Sequence, residues 1–273
     1  MEDGRCGMVC GAMRVGVLSA MLILLVGCAH SSRDAGSGDA LARSSAALQT
    51  QRYDDAIRFA DAALDVHRTG PRAAEAHYLR GRALEDRPSV SPEQARAALL
   101  AARNAYNAAL SAGPDRGLEP LVRASLADVA FWQEDYATAA DQGRRAAALL
   151  PAGTLRSGVL YRVGVAQQRL GQFDLADRTF TELRDREPTS DLGRQAAERI
   201  GRRSFVVQLG TFAQASGADQ LIAQITSAGL VPLRVIDSQG RHVVSVGPLP
   251  TYRDAQQVRA RFQSQYPDAL IIP

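Results

Sequence analysis

The pattern of apolar and polar positions divides this chain into three parts. The first part holds one apolar run, which extends from Val15 to Val26 and contains no charged residue. Over residues 40–201, small and apolar residues recur three and four positions apart, which predicts amphipathic helices. Beyond Arg203 the pattern changes to short runs of β-branched residues, which predict strands. We therefore expect a multidomain chain, with an all-α region followed by a smaller α+β region.

The helical region contains an internal repeat. Its clearest copy places aromatic, small and apolar residues at intervals of three, four and three, with a proline five positions later. From the last copy to the first, the matching residues are Phe173, Ala176, Phe180, Leu183 and Pro188; Tyr136, Ala139, Gly143, Ala146 and Pro151; Ala102, Tyr106, Ala109 and Pro114; and Tyr53, Ala56, Ala60 and Ala63. Small residues let two helices approach closely, and proline cannot continue a helix. Each copy therefore predicts a helical hairpin.

This repeat resembles the tetratricopeptide repeat (TPR), a helical hairpin of about 34 residues. Gly164 and Gly171 match the close-packing and turn glycines of that family, and Gly81 holds the first of these places in the second copy. Residues 86–92 are an insertion that is expected to lengthen one loop, and residues 191–203 look like a polar capping helix. The resemblance implies a TPR-like array over residues 40–201 that binds a protein partner, which the sequence does not identify.

Residues 202–273 are predicted to fold in the order βαββαβ. Strands are expected at 205–212, 231–236, 242–246 and 269–272, with helices at 218–228 and 251–265 and Thr251 as an N-cap. Successive side chains of a strand point to opposite faces. The residues expected to face the helices are Phe205, Val207, Leu209, His242, Val244 and Val246, and those expected to face outward are Val206, Gln208, Gly210, Val243 and Ser245.

This region resembles the SPOR domain family in its opening Val-Val-Gln-Leu-Gly-Thr-Phe and in Val-Ser-Val-Gly-Pro on the third strand. The resemblance implies a small α+β domain that binds glycan strands of peptidoglycan stripped of their stem peptides. The glycan-binding residues that it implies are Gln208, Gly210, Thr211, Phe212, Ser245 and Gly247. The Gln208 amide can both donate to and accept from a sugar, and the two glycines would allow close approach to the backbone. Val243 stands where family members often carry a basic or aromatic residue.

The N-terminal part is predicted to be a targeting segment. Its apolar run is shorter than the roughly 20 residues of a membrane-spanning helix, but it has the length of a signal-peptide core. The following Leu25-Val26-Gly27-Cys28 resembles a bacterial lipobox, which implies a signal peptide at residues 1–27 and a lipidated Cys28. Residues 28–39 would then be the lipidated N-terminus with its flexible Ser/Gly tether. Ala29, directly after the cysteine, favours sorting of the lipoprotein to the outer membrane, where it would face the periplasm. An ordinary secretory signal that happens to contain a cysteine is the alternative.

Composition narrows the possible functions. The net charge is +3, and all 32 basic residues are arginines spread along the chain, so no clustered basic stripe indicates nucleic-acid binding. All three cysteines lie at or before Cys28, and the four histidines show no metal-ligand spacing. No dinucleotide loop, P-loop or nucleophile elbow occurs. We therefore expect no cofactor, no metal and no enzymatic activity.

Two functions of different kinds agree with these features. The first is a cell-envelope lipoprotein that binds peptidoglycan glycan strands, locates to septal or remodelling wall, and recruits a protein partner through its repeats. The second is an envelope assembly scaffold, whose repeats do the binding while the C-terminal domain is only structural.

Overall fold

The computed structural model describes residues 35–273, with side chains from residue 40 onward. The predicted signal peptide and Cys28 lie outside the described residues. Within the described part, nine helices precede a four-stranded sheet that carries two further helices. No helix in this part is long and apolar enough to span a bilayer. The fold class predicted from the sequence is confirmed.

The helices of the first region pack in sequence order. They are α1 (Ala35–Gln49), α2 (Tyr53–Val66), α3 (Pro71–Asp86), α4 (Pro92–Ala112), α5 (Glu119–Trp132), α6 (Tyr136–Leu149), α7 (Thr154–Arg169), α8 (Phe173–Arg186) and α9 (Asp191–Arg199). Each helix packs against the next, and the odd-numbered helices also contact one another along the array. The odd-numbered helices therefore form an inner layer. Helix α1 begins at Ala35, so residues 35–39 are helical and the predicted tether ends earlier than expected.

The repeated sequence positions form the packing between paired helices. All the alanines of the four copies are buried, as are Tyr106, Tyr136, Phe180 and Leu183. A Cβ atom on Gly164 would lie 2.5 Å from the Phe180 ring, and a Cβ on Gly81 would lie 2.5 Å from the Tyr106 ring. Each aromatic ring thus occupies the space that a side chain on the facing glycine would need, as the close-packing role predicts.

The turn inside three of the hairpins requires one residue in the left-handed conformation. Gly171 adopts it with φ +74°, where glycine carries no steric penalty. The equivalent positions in earlier copies are Glu134 (φ 61°) and Gln51 (φ 58°). The same backbone path is therefore kept in copies that lack the turn glycine, at a local conformational cost.

The C-terminal domain is an antiparallel sheet with both helices on one face. Its elements are β1 (Phe205–Phe212), α10 (Ala215–Ser227), β2 (Pro232–Ile236), β3 (His242–Leu249), α11 (Tyr252–Phe262) and β4 (Leu270–Ile272). The strand order is β2-β3-β1-β4. Phe205, Val207 and Leu209 are buried beneath the helices, as the alternation predicts. Thr251 caps α11 by accepting a hydrogen bond from the Asp254 backbone N–H, also as predicted.

An aromatic cluster joins this domain to the helical array. The Tyr252 ring packs edge-on against Tyr136 of the array and Phe205 of β1, with centroid distances of 5.6 and 5.5 Å. The Arg169 guanidinium lies 4.7 Å from the Tyr252 centroid and donates a hydrogen bond to the Tyr136 hydroxyl. Phe173 of α8 packs against Phe205 at 6.0 Å. We call these five residues the joint.

Polar contacts extend the joint on both sides. Gln256 of α11 donates to the Glu134 carboxylate at 2.8 Å. Arg203 donates to Asp177 of α8 at 2.7 Å, and Asp177 also accepts from the Gly201 backbone N–H. Burial raises the pKa of Asp177 and these hydrogen bonds lower it, with a net decrease. These side-chain contacts link the domain to the last two repeats.

Replacing Gly164 by alanine should destabilise the array, because the added methyl group cannot fit beside the Phe180 ring. Gly158→Ala, in the same helix α7, is a matched control, since nothing lies within 4 Å of its added Cβ. We expect Gly164→Ala to lower the free energy of unfolding by about 1–3 kcal/mol. Gly158→Ala should leave it unchanged or raise it by up to about 1 kcal/mol. Equal values for the two variants in urea denaturation would contradict this account of the packing.

Replacing Tyr252 by alanine should loosen the joint, because one ring makes both aromatic contacts and the contact with Arg169. The linker contains Arg202 and Arg203, and trypsin must unfold a linker locally before it can cleave it, so opening of the joint should speed cleavage there. We expect cleavage there to rise about tenfold, which corresponds to the loss of about 1.4 kcal/mol of ring contacts. Tyr266→Ala is the control, because that ring packs on Phe262 of its own domain. Equal cleavage of the two variants would show that Tyr252 does not hold the joint closed.

Candidate functional site

The face of the sheet opposite α10 and α11 is the candidate site. The strand pairing places nine side chains on it, and every one is half-buried or exposed. We call this surface the outer face; its members are Val206, Gln208, Thr211, Leu233, Val235, Val243, Ser245, Leu270 and Ile272. None of the nine is charged.

One row of side chains crosses all four strands of the outer face. Ser245 on β3 is paired with Gln208 on β1, so the two polar groups are neighbours at the centre of the sheet. Leu233 on β2 flanks Ser245, and Leu270 on β4 flanks Gln208. Leu270 is 58% exposed. The row thus has a polar centre between two apolar ends.

A second row extends the polar centre along β1. Thr211 is paired with Val243, which in turn is paired with Val235. The Gln208 amide donates a hydrogen bond of 3.4 Å to the Thr211 hydroxyl. The amide and the two hydroxyls offer both donors and acceptors, while the aliphatic side chains offer apolar contact. Such a mixture suits a sugar ring, which has hydroxyl and amide edges and apolar C–H faces.

A β-bulge changes which side chains reach the outer face. Gln208 pairs with Ser245 but Gly210 pairs with Val244, so Leu209 is an extra residue on β1. Such an extra residue reverses the alternation beyond it. A Cβ on Gly210 would meet the Phe212 ring at 3.0 Å and Leu221 of α10 at 3.8 Å. The prediction that Gly210 faces outward is therefore wrong, and Thr211 takes the outward direction instead.

Phe212 also lies on the helix side of the sheet. Its ring is half-buried and packs over Gly217 at the start of α10, where an added Cβ would lie 2.8 Å away. Gly210 and Phe212 thus form an intramolecular contact at the end of β1. Their role in ligand binding, which the family motif implies, stays a prediction for which this geometry gives no direct support.

Gly247 serves the pairing of β1 with β3. Its φ is +156° and it precedes a cis peptide bond to Pro248. A Cβ there would lie 2.8 Å from Val206 and 3.0 Å from the Phe205 carbonyl oxygen. Gly247 is buried between β1 and β3. Its missing side chain therefore lets β1 approach closely, and not a ligand.

The inner layer of the array holds a cluster of buried and partly buried charges that no local sequence pattern indicates. Asp128 of α5 is 8% exposed and forms an ion pair with Arg162 of α7. Glu85 of α3 accepts a 2.6 Å hydrogen bond from Tyr106. Burial raises the pKa of Glu85, and burial lowers that of Arg162. Arg162 thus attracts both Asp128 and Glu85, and these interactions connect helices of three repeats.

Two other features of the array are a cleft and an exposed tryptophan. A cleft of about 250 Å³ lies beside the start of α7, but its Arg156 and Arg186 both pair with Glu182, at 3.4 and 3.3 Å. Trp132 is 55% exposed at the end of α5, which is unusual for so large an apolar side chain. The described residues contain no group of three or more potential ligands that could hold a metal ion.

Comparison with known proteins identifies the C-terminal domain. The family model described as the SPOR domain matches residues 201–273, one residue from the predicted boundary. A search of curated proteins found no match. The chain is similar to the crystal structure of MamA protein, with 16% identity and a TM-score of 0.47 over 61% of this chain and 83% of that one. It is also similar to MamA AMB-1, with 18% identity and a TM-score of 0.47 over 62% and 91%. The family model thus identifies residues 201–273 as a SPOR domain, and this domain follows helical hairpins whose packing is TPR-like.

Proposed function

We propose that this chain is a non-enzymatic cell-envelope lipoprotein that binds glycan strands of peptidoglycan, denuded of stem peptides, through the outer face. SPOR domains are generally peptidoglycan-binding domains, and TPR-like arrays mediate protein interactions. In this proposal the array recruits a protein partner to the wall. Lipidated Cys28 would hold the chain on the outer membrane, facing the periplasm.

The proposal rests on the uncovered polar groups at the centre of the outer face. Gln208, Ser245 and Thr211 are adjacent, half-buried or exposed, and on strands whose opposite face is fixed by a packed core. Ligand groups placed on such a rigid support need little ordering on binding. The joint lies at α11 and the start of β1, on the helix side, so docking of the array leaves this row accessible.

Both parts of the described chain belong to classes of non-catalytic binding modules. The buried charges of the array are engaged with one another, as the Asp128–Arg162 pair is. These features support a role in binding and recruitment.

Replacing Gln208 by alanine should weaken glycan binding, because it removes the amide at the centre of the row. We expect the apparent Kd for amidase-treated sacculi to rise about tenfold, as the loss of one or two hydrogen bonds would produce. The measurement is co-sedimentation of the full chain with sacculi before and after amidase treatment. Gln220→Ala, at an exposed position on the helix side, is the matched control. An unchanged pellet fraction for Gln208→Ala would contradict the proposal.

The joint favours a second candidate function, in which the SPOR domain is a structural cap for the array. Phe205 and Tyr252 pack on the turn side of the last two repeats, against Phe173 and Tyr136, and would hold those turns in place. Here the repeats alone would do the binding, in an assembly scaffold of the envelope.

Cellular localisation separates the two candidates. Glycan binding predicts that Gln208→Ala reduces concentration at septal or remodelling wall and that deletion of residues 204–273 abolishes it. The scaffold function predicts that Gln208→Ala, which leaves the joint intact, localises like the unaltered chain. Fluorescence microscopy of the two altered chains and of Gln220→Ala distinguishes these outcomes.

A further inference from the structure

The outer face has a chemical property that limits which part of a glycan it can recognise. All nine of its side chains are uncharged, and only Gln208, Thr211 and Ser245 carry polar groups. Denuded peptidoglycan alternates N-acetylglucosamine with N-acetylmuramic acid, whose lactyl group ends in a free carboxylate. A carboxylate pressed against this face would lose water without gaining a cation, which is unfavourable.

Three arginines near the strands are engaged elsewhere. Arg234 of β2 lies on the helix side, where it donates to Asp219 of α10 at 2.7 Å. Arg241 donates to Asp237 within the turn between β2 and β3, at 2.8 Å. Arg203, just before β1, pairs with Asp177 of the array. Each of these guanidinium groups already holds a carboxylate of this protein, and none belongs to the outer face.

The groups that the outer face does offer match an acetamido sugar. The Gln208 amide and the Ser245 hydroxyl can bond to an acetamido C=O and N–H and to ring hydroxyls. Leu233 and Leu270, at the two ends of the same row, offer apolar contact for acetamido methyl groups and ring C–H faces. Both kinds of sugar in the strand carry these groups, and neither contact requires the lactyl carboxylate.

We propose that the outer face recognises the N-acetylated, uncharged parts of the glycan and forms no charge pair with the lactyl carboxylates, while the stem peptides of intact strands hinder access of the sheet to those parts. It therefore also binds oligomers of β-1,4-linked N-acetylglucosamine, which contain no muramic acid. This inference rests on the proposed function and specifies its ligand. Because no charge pair forms, binding is nearly independent of salt concentration.

The test is competition for denuded sacculi by neutral oligosaccharides. The full chain in detergent is pelleted with amidase-treated sacculi in the presence of a hexamer of N-acetylglucosamine or a glucose hexamer of the same linkage. We expect the first to release the protein and the second, which lacks acetamido groups, to release at least tenfold less. We also expect the retained fraction to change less than twofold between about 0.05 M and about 0.5 M NaCl, a range over which charge pairs are strongly screened.

The possible failures are distinguishable. Retention on denuded sacculi that the N-acetylglucosamine hexamer does not reduce would overturn this inference and leave the proposed function intact. Retention that falls severalfold with salt would likewise overturn it, because a charged group would then be recognised. If the chain does not pellet with denuded sacculi even without competitor, the proposed function fails and the inference with it.

Val243→Arg supplies a positive control for recognition of the carboxylate. Val243 is half-buried at the centre of the outer face, beside Thr211 and Val235. An arginine there would add a cation that the unaltered face lacks. We expect this variant to bind denuded sacculi more tightly at low salt and to lose that gain at high salt. The neutral N-acetylglucosamine hexamer should release the variant less effectively than it releases the unaltered chain. Salt dependence of the unaltered chain as strong as that of the variant would overturn the inference.

Discussion

Burial of only one face of a four-stranded sheet determines how the C-terminal domain can function. Helices α10 and α11 both pack on the side of Phe205, Val207 and Val244, and these residues are almost fully buried. A core of this size can cover only one side of the sheet, so the other side must meet solvent or a ligand. On that other side Leu270 and Val235 are each more than half exposed, so apolar side chains are available there for contact. The same one-sided packing places α11 where it contacts the array, which leaves the outer face free when the two parts are joined.

The joint connects two modules that could otherwise move independently. Tyr252 and Phe205 belong to the SPOR domain, yet their rings pack against residues of the last two repeats. In the proposed function, these contacts would limit the distance between a partner on the array and a glycan on the SPOR domain.

Much of this organisation follows from the sequence because the packing is local and repeated. Gly164 and Phe180 lie in consecutive helices, so one periodic pattern predicts both the helices and their contact. The outer face was predicted less well. Strand alternation placed Gln208 and Ser245 correctly but failed at Gly210, because the bulge at Leu209 depends on pairing with β3 and leaves no signal in β1 alone. The joint and the Asp128–Arg162 pair involve residues that are distant in sequence, and no local pattern indicates such contacts.

The central claim is that the outer face binds the glycan. Hydrogen–deuterium exchange of the full chain, with and without soluble denuded glycan fragments, tests it most directly, since the exchange rate of the backbone amides is measured for each strand separately. The account predicts added protection in β1 and β3 around Gln208 and Ser245, with α10 and the array unchanged. Protection confined to α10, α11 or the helical array, with β1 and β3 unaffected, would contradict it.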